Sequence, residues 1–201
     1  MLDLFETPSH YYIVIELCSG GDMYDYLERR DFKVSEKRAW ELASQLAGAI
    51  FYLHDFNIVH RDLKLENVMM TDDSENSIPK VVDFGLSAMV DQDHLANESV
   101  GTVAYASPEI FKGEPYSKEV DIWSLGTMFF GCLGGYLPYD DAEKSKIMHK
   151  VLNEPLNLSG ERWKKVSSNA KKLLQKMLEK DKKKRFTIQQ VVESEWIQKG
   201  E

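Results

Sequence analysis

The segment Val120 to Leu133 is apolar on nearly every face, and a helix without a polar stripe is stable only when other matter surrounds it. A bilayer is not that surrounding. The longest uncharged apolar stretch, Leu125 to Leu137, is bracketed by Asp121 and Asp140 and is too short to span one. The segment is therefore expected to be a buried helix of a mainly α domain. A longer helix is predicted behind Ser35, which can cap its start, with Ala39, Leu42, Ala43, Leu46, Ala47, Ile50 and Leu53 recurring at helical spacing; it should pack centrally. Asp141 to Leu152, Ser168 to Leu178 and Ile188 to Ile197 read as amphipathic helices, and a short helix is expected from Asp22 to Arg30.

The β component is small. Tyr11 to Leu17 is a β-branched and aromatic run ended by Ser19-Gly20-Gly21, which predicts a strand leading into a turn. Val68-Met69-Met70 and Lys80-Val81-Val82, joined by the acidic turn Asp72 to Ser77, predict a hairpin. From Asp83 to Glu109 the sequence reads as irregular, and so long a loop inside a compact domain usually serves a function.

Composition narrows the classes. With 201 residues, 43% of them hydrophobic, the chain has enough apolar matter for one folded domain. A net charge of -8 argues against general binding to nucleic acid or anionic membranes. The basic cluster Lys180, Lys182, Lys183, Lys184 and Arg185 reads first as a solvated face. Cys18 and Cys132 lack metal-ligand spacing, so a reducing cytoplasmic or nuclear setting is expected. The opening Met1 to Glu6 is unlike a signal or transit peptide.

The chemistry concentrates in His60-Arg61-Asp62-Leu63-Lys64-Leu65-Glu66-Asn67 and, downstream, Asp83-Phe84-Gly85. Phosphoryl transfer needs a carboxylate to orient the attacking hydroxyl and charge to neutralise the phosphates. Asp62 suits the first task, and Lys64 can reach a transferring phosphate as a point charge. Asn67 and Asp83 offer the hard oxygen atoms that suit Mg²⁺. Either tripeptide alone would be weak, since Asp-Phe-Gly is more often a turn. Asp72, Ser74, Asn76 and Asp83 fall at calcium-loop spacing, but Ser77 stands where that loop needs Gly and Asp83 where it needs a bidentate Glu, so an EF-hand is rejected.

Together these segments resemble the catalytic and metal-binding loops of eukaryotic-type protein kinases. Lys64, two residues after Asp62, resembles the serine/threonine branch. Three further segments follow in family order: Gly101 to Glu109, with Ser107 where Ala is usual; Asp121-Ile122-Trp123-Ser124-Leu125-Gly126; and Asp181 to Thr187. The run Leu173 to Ile197 looks most like the calcium/calmodulin-dependent group, although Lys182 and Ser194-Glu195 depart from the usual Pro and His-Pro. The resemblance implies a protein-kinase-like fold and the cofactors ATP and Mg²⁺. It implies that Thr102 bonds Asp62 and Lys64, that Arg185 pairs with Glu109, and that Asp121 holds backbone groups of the catalytic loop. On the nucleotide side it implies adenine contacts from the backbone of Glu16 and Cys18, with Ile15 behind them, Asp22 near the ribose and Met69 under the adenine. Ordinary strand packing is the other reading of those side chains.

Because Arg61 precedes Asp62, the resemblance implies an activation loop ordered when an anion meets that Arg. Counting back from Gly101 and Thr102, the position phosphorylated in many relatives is Glu98. Either Glu98 pairs with Arg61 and lessens the need for phosphorylation, or it is a solvated acid and Ser99 is the phosphosite. Protein substrates bearing Ser or Thr are implied. Glu66 and Asp22 in the expected peptide cleft suggest a mild preference for basic flanks, tempered by Gly131 where strongly basophilic kinases carry an acid.

The family's Gly-rich loop, strand Lys and helix Glu are not found before Tyr11. The expectation is one truncated kinase domain over residues 1–201, consisting of the C-terminal lobe and hinge with the N-terminal lobe largely missing. In it the hinge strand lies at 11–18, the catalytic loop at 60–67 and the activation segment at 83–109. The strand at Tyr11 would then lose its sheet neighbours. Two functions remain open: an ATP-dependent serine/threonine kinase, or a catalytically weak interaction module. A calcium-sensor partner or extension is not visible in the sequence.

Overall fold

The computed structural model describes residues 1–90, 95, 96, 98 and 100–200, and its architecture is arranged around the helix Glu119–Gly134, in which every residue after Glu119 is buried. Strands β1 (Asp3–Glu6) and β2 (Tyr11–Val14) form an antiparallel ribbon in which Asp3 faces Val14 and Glu6 faces Tyr11. The predicted strand is thus shorter than Tyr11 to Leu17, and it has a sheet neighbour after all. All eight ribbon residues are exposed.

Helix α1 (Met23–Glu28) begins where Asp22 Oδ1 accepts the Asp25 amide at 2.8 Å, so Asp22 is its cap rather than its first residue. Helix α2 (Glu36–Asp55) starts at Ser35, whose hydroxyl accepts the Arg38 amide at 3.1 Å. It buries the expected stripe from Ala39 to Ile50, together with His54. Strand β3 (Ile58–Val59) follows, then the hairpin β4 (Val68–Met70) and β5 (Pro79–Val81). The segment expected to be wholly irregular contains β6 (Ala88–Met89), antiparallel to β3.

Helix α3 (Pro108–Lys112) carries Pro at its start and ends at left-handed Gly113. Helix α4 (Glu119–Gly134) is the buried one; α5 (Lys144–Asn153), α6 (Glu161–Lys164) and α7 (Ser168–Met177) follow. The helix expected from Ile188 to Ile197 is divided into α8 (Ile188–Val192) and α9 (Glu195–Lys199). Ser194 divides it: its hydroxyl donates to the Val191 carbonyl at 2.7 Å, closing α8 while its extended backbone caps α9. Helices α2, α6 and α7 all pack on α4, giving a mainly α architecture with three two-stranded β pairs among the described residues.

Candidate active site

The loop between β3 and β4 is held from below by a single carboxylate. Asp121, in the first turn of α4, accepts the His60 amide on Oδ2 and the Arg61 amide on Oδ1, each at 2.9 Å, and its Oδ2 also lies 2.9 Å from His54 Nε2. Asp121, His54 and His60 are buried, and Arg61 is half-buried. Arg61 sits at φ 68° and Asp83 at φ 61°, conformations costly for residues with a Cβ and sustained only where neighbours over-determine them. The Asp121 contacts supply that constraint at Arg61. Near Asp83, Val82 N donates to the Asn67 carbonyl at 3.0 Å and His60 Nε2 lies 3.0 Å from the Val82 carbonyl.

Four side chains from this frame converge. Lys64 Nζ donates to Asp62 Oδ2 at 2.9 Å and to Thr102 Oγ1 at 3.0 Å, while Thr102 Oγ1 donates to Asp62 Oδ1 at 2.9 Å. Asn67 Nδ2 donates to the Asp62 carbonyl at 2.8 Å and to Asp62 Oδ2 at 3.0 Å. The carboxylate of Asp62, a residue 8% exposed, is thereby fixed by three side chains. With both amide protons of Asn67 committed to Asp62, its Oδ1 is the atom that could ligate a metal. Asp83 Oδ1 accepts the Gly85 amide at 3.2 Å. Among the described residues no three His, Cys, Asp or Glu gather around a point, so the fit is to a metal that borrows most of its oxygens from phosphate and water.

Arg61 continues the site outward. Its Nε donates to the Leu86 carbonyl at 2.5 Å, and its Nη1 lies 2.9 Å from Glu98 Oε2 and 3.4 Å from the Tyr116 hydroxyl. The pairing of Glu98 with Arg61 is therefore present; Ser99 lies outside the described residues. Around the residues expected to meet the nucleotide, Met70 N donates to the Gly21 carbonyl and Gly20 N to the Met70 carbonyl, and a bridge pairs Asp22 with Met69. Gly20 is required, because a Cβ there would meet the Asp72 carbonyl oxygen at 2.2 Å. This knitting brings Asp22 beside Met69. The Glu16 side chain points instead toward Lys80, 3.4 Å away.

Glu109 and Arg185 meet in the interior. Only Lys183 and Lys184 of the basic cluster are solvated; Lys180 reaches the carbonyls of Lys150 and Glu154, and Lys182 that of Pro115. Two residues were not singled out by sequence reasoning. His54 had a signal, as a polar residue next to the apolar stripe of α2. Tyr116 had none.

Comparison with known proteins agrees with this geometry: residues 1–197 match the protein kinase domain family. The chain belongs to that family. It is similar to calcium/calmodulin-dependent protein kinase type 1B of rat, mouse and human, with 37% identity over 195 residues in each case. The match covers 97% of this chain and 56% of each relative, so the chain spans about half the length of the relatives it matches.

Proposed function

We propose that this chain is the catalytic part of an ATP-dependent protein serine/threonine kinase. The observation that carries the reading is the Asp62 carboxylate held by Lys64, Thr102 and Asn67. In this reading one kinase domain extends over residues 1–201, with a hinge strand at 11–18, a catalytic loop at 60–67 and an activation segment at 83–109. Asp62 orients the substrate hydroxyl and takes its proton. Lys64 faces the transferring phosphate, and Thr102 keeps both in register. Asn67 Oδ1 and the Asp83 carboxylate would hold Mg²⁺, which supplies neutralising charge to the phosphates when bound. Backbone groups of Glu16 and Cys18 take the adenine, Asp22 the ribose, and Met69 packs beneath the base. Asp121, Glu109 and Arg185 act structurally.

For regulation, Glu98 supplies the anion that Arg61 requires, and phosphorylation of Ser99 is the competing reading. Activity kept in Glu98→Gln and abolished in Ser99→Ala would decide for Ser99. Substrates are proteins with Ser or Thr; exposed Glu66 and half-buried Asp22 favour basic flanking residues. No described helix is long and apolar enough to cross a membrane, and a cytoplasmic setting belongs to the same proposal. So does a calcium-sensor partner, after the relatives' names; its test is whether calcium-loaded calmodulin changes the rate.

The test is transfer of radiolabelled phosphate from MgATP to a basic Ser/Thr peptide, beside Asp62→Asn. Removing a general base lowers turnover by about 10²- to 10⁴-fold, and equal incorporation by both chains would sink the reading. The alternative, an interaction module of low catalytic power, draws support from the exposed β1–β2 ribbon, whose Phe5, Tyr11 and Ile13 are each more than half exposed. Retained binding of a protein partner with no incorporation would favour it.

A further inference from the structure

We propose that Tyr116 is a positioning residue that latches the chain around Glu98 onto Arg61 and so sets the register in which Thr102 reaches Asp62. The proposal rests on the kinase reading for the role of Asp62.

Tyr116 is 1% exposed and lies in the connection between α3 and α4, outside the loop that carries Asp62, Lys64 and Asn67. Its backbone exchanges two hydrogen bonds with Ala96, at 2.9 and 2.8 Å. Its hydroxyl donates to the Glu98 carbonyl at 2.9 Å and accepts from Arg61 Nη1 at 3.4 Å. Arg61 Nη1 also reaches Glu98 Oε2, so Arg61, Tyr116 and Glu98 close a ring of hydrogen bonds. In such a ring each bond polarises the next. The Glu98 carbonyl further accepts the Val100 amide at 3.1 Å, which passes the anchorage toward Gly101 and Thr102.

Charge alone would hold this segment poorly. The Glu98 side chain is 64% exposed against 10% for Arg61, and an ion pair with one partner in water gains little after screening and side-chain ordering. The Tyr116 hydroxyl bond is the sheltered one. Burial pushes the Tyr116 hydroxyl above its ordinary value, outweighing the opposing effect of Arg61, which is consistent with its role as a donor. An exposed glutamate can thus stay on Arg61 because the backbone beneath it is already fixed.

Tyr116→Phe tests the latch by removing one oxygen atom and leaving the ring packing in place. Hydrogen exchange at the Ala96 and Val100 amides is expected to quicken roughly five- to tenfold, the effect of one lost hydrogen bond, while amides of α2 and α4 keep wild-type rates. In phosphotransfer assays kcat should fall and depend more steeply on NaCl, with KM for ATP within about twofold, since the nucleotide-side residues are untouched. Glu98→Gln should change both readouts less in the Tyr116→Phe background than in wild type, the signature of coupled residues. Wild-type exchange at Ala96 and Val100 in Tyr116→Phe overturns the proposal, and so does loosening spread through α2 and α4, which would make Tyr116 a core residue only. A wild-type chain without any phosphotransfer would instead refute the kinase reading, and the exchange data would still decide the latch.

Discussion

Arg185 and Glu109, 76 residues apart in the chain, form a bidentate ion pair at 2.5 and 2.9 Å with side chains 0% and 2% exposed. Two more guanidinium protons are used: Nε donates to the Glu179 carbonyl and Nη1 to the Glu119 carbonyl, each at 2.9 Å. The pair ties α3 to the chain after α7. Desolvation of two charges cancels much of their attraction, so the intact pair contributes little net stability, whereas removing one partner strands a buried charge. Glu109→Gln is expected to destabilise the chain by about 3–5 kcal/mol, read as a fall in the denaturant midpoint at unchanged slope. A loss under about 1 kcal/mol would show that water reaches Arg185.

The same pair sets an acid limit. Burial pushes the Glu109 carboxyl up, but Arg185 pulls it down further, so its net position is below the ordinary value of 4.5. A carboxyl whose folded pKa lies below its unfolded one contributes stability that is fully present above the unfolded value and is lost as pH falls through the folded value. Thermal midpoints measured downward from pH 5 should therefore decline in wild type. Glu109→Gln, already low, should decline less steeply over that window; parallel curves would refute the assignment.

Asp121 offers a third test, because its two oxygens serve three donors or partners at 2.9 Å. Asparagine keeps one acceptor and turns an NH₂ group toward an amide or toward His54. The buried donor left unpaired costs about 1–3 kcal/mol. In Asp121→Asn the Arg61 backbone loses part of what holds it at positive φ, so phosphotransfer is expected to fall by more than the stability loss explains at temperatures well below the midpoint. Activity equal to wild type there would show that the loop holds its shape unaided.

Much of this was legible in the sequence because long periodic segments and clustered polar residues carry their own signal. The stripe of α2, the apolar α4, and the meeting of Lys64 and Asn67 on Asp62 were readable for that reason. Short elements were not. The pairing of β3 with β6 involves two residues from each strand, and α6 is a four-residue helix around buried Trp163. Segments of that length have no intrinsic stability and exist through tertiary contact. The break at Ser194 turned on one hydroxyl bond, and the role of Tyr116 on a bridge to a residue twenty positions away. Neither leaves a periodic trace.

Packing around α4 gives a fourth prediction. A Cβ on Gly126 would lie 2.9 Å from Met177 Cβ, an atom fixed to the α7 backbone that cannot swing aside. Gly126→Ala gains helix propensity but forces α4 and α7 apart, and overpacking of this kind costs about 1–3 kcal/mol. The denaturation midpoint should drop accordingly. A midpoint at or above that of wild type would mean that α7 relaxes freely.

Thr102 gives the most direct probe of the site. Its hydroxyl accepts from Lys64 at 3.0 Å and donates to Asp62 at 2.9 Å, and it is only half-buried, so replacing it should leave the fold intact. Thr102→Val keeps the shape and removes both bonds. Each involves a charged partner, and losing such a bond is worth about 1.5–3 kcal/mol, or tenfold to over a hundredfold in rate. The loss is expected in kcat, with KM for ATP little changed, because Thr102 acts on Asp62 and Lys64 rather than on the nucleotide side. Thr102→Ser restores the hydroxyl without the methyl and should recover most of the rate. If serine fails to rescue while valine and serine fold equally well, the methyl contact and not the hydroxyl network is what Thr102 provides.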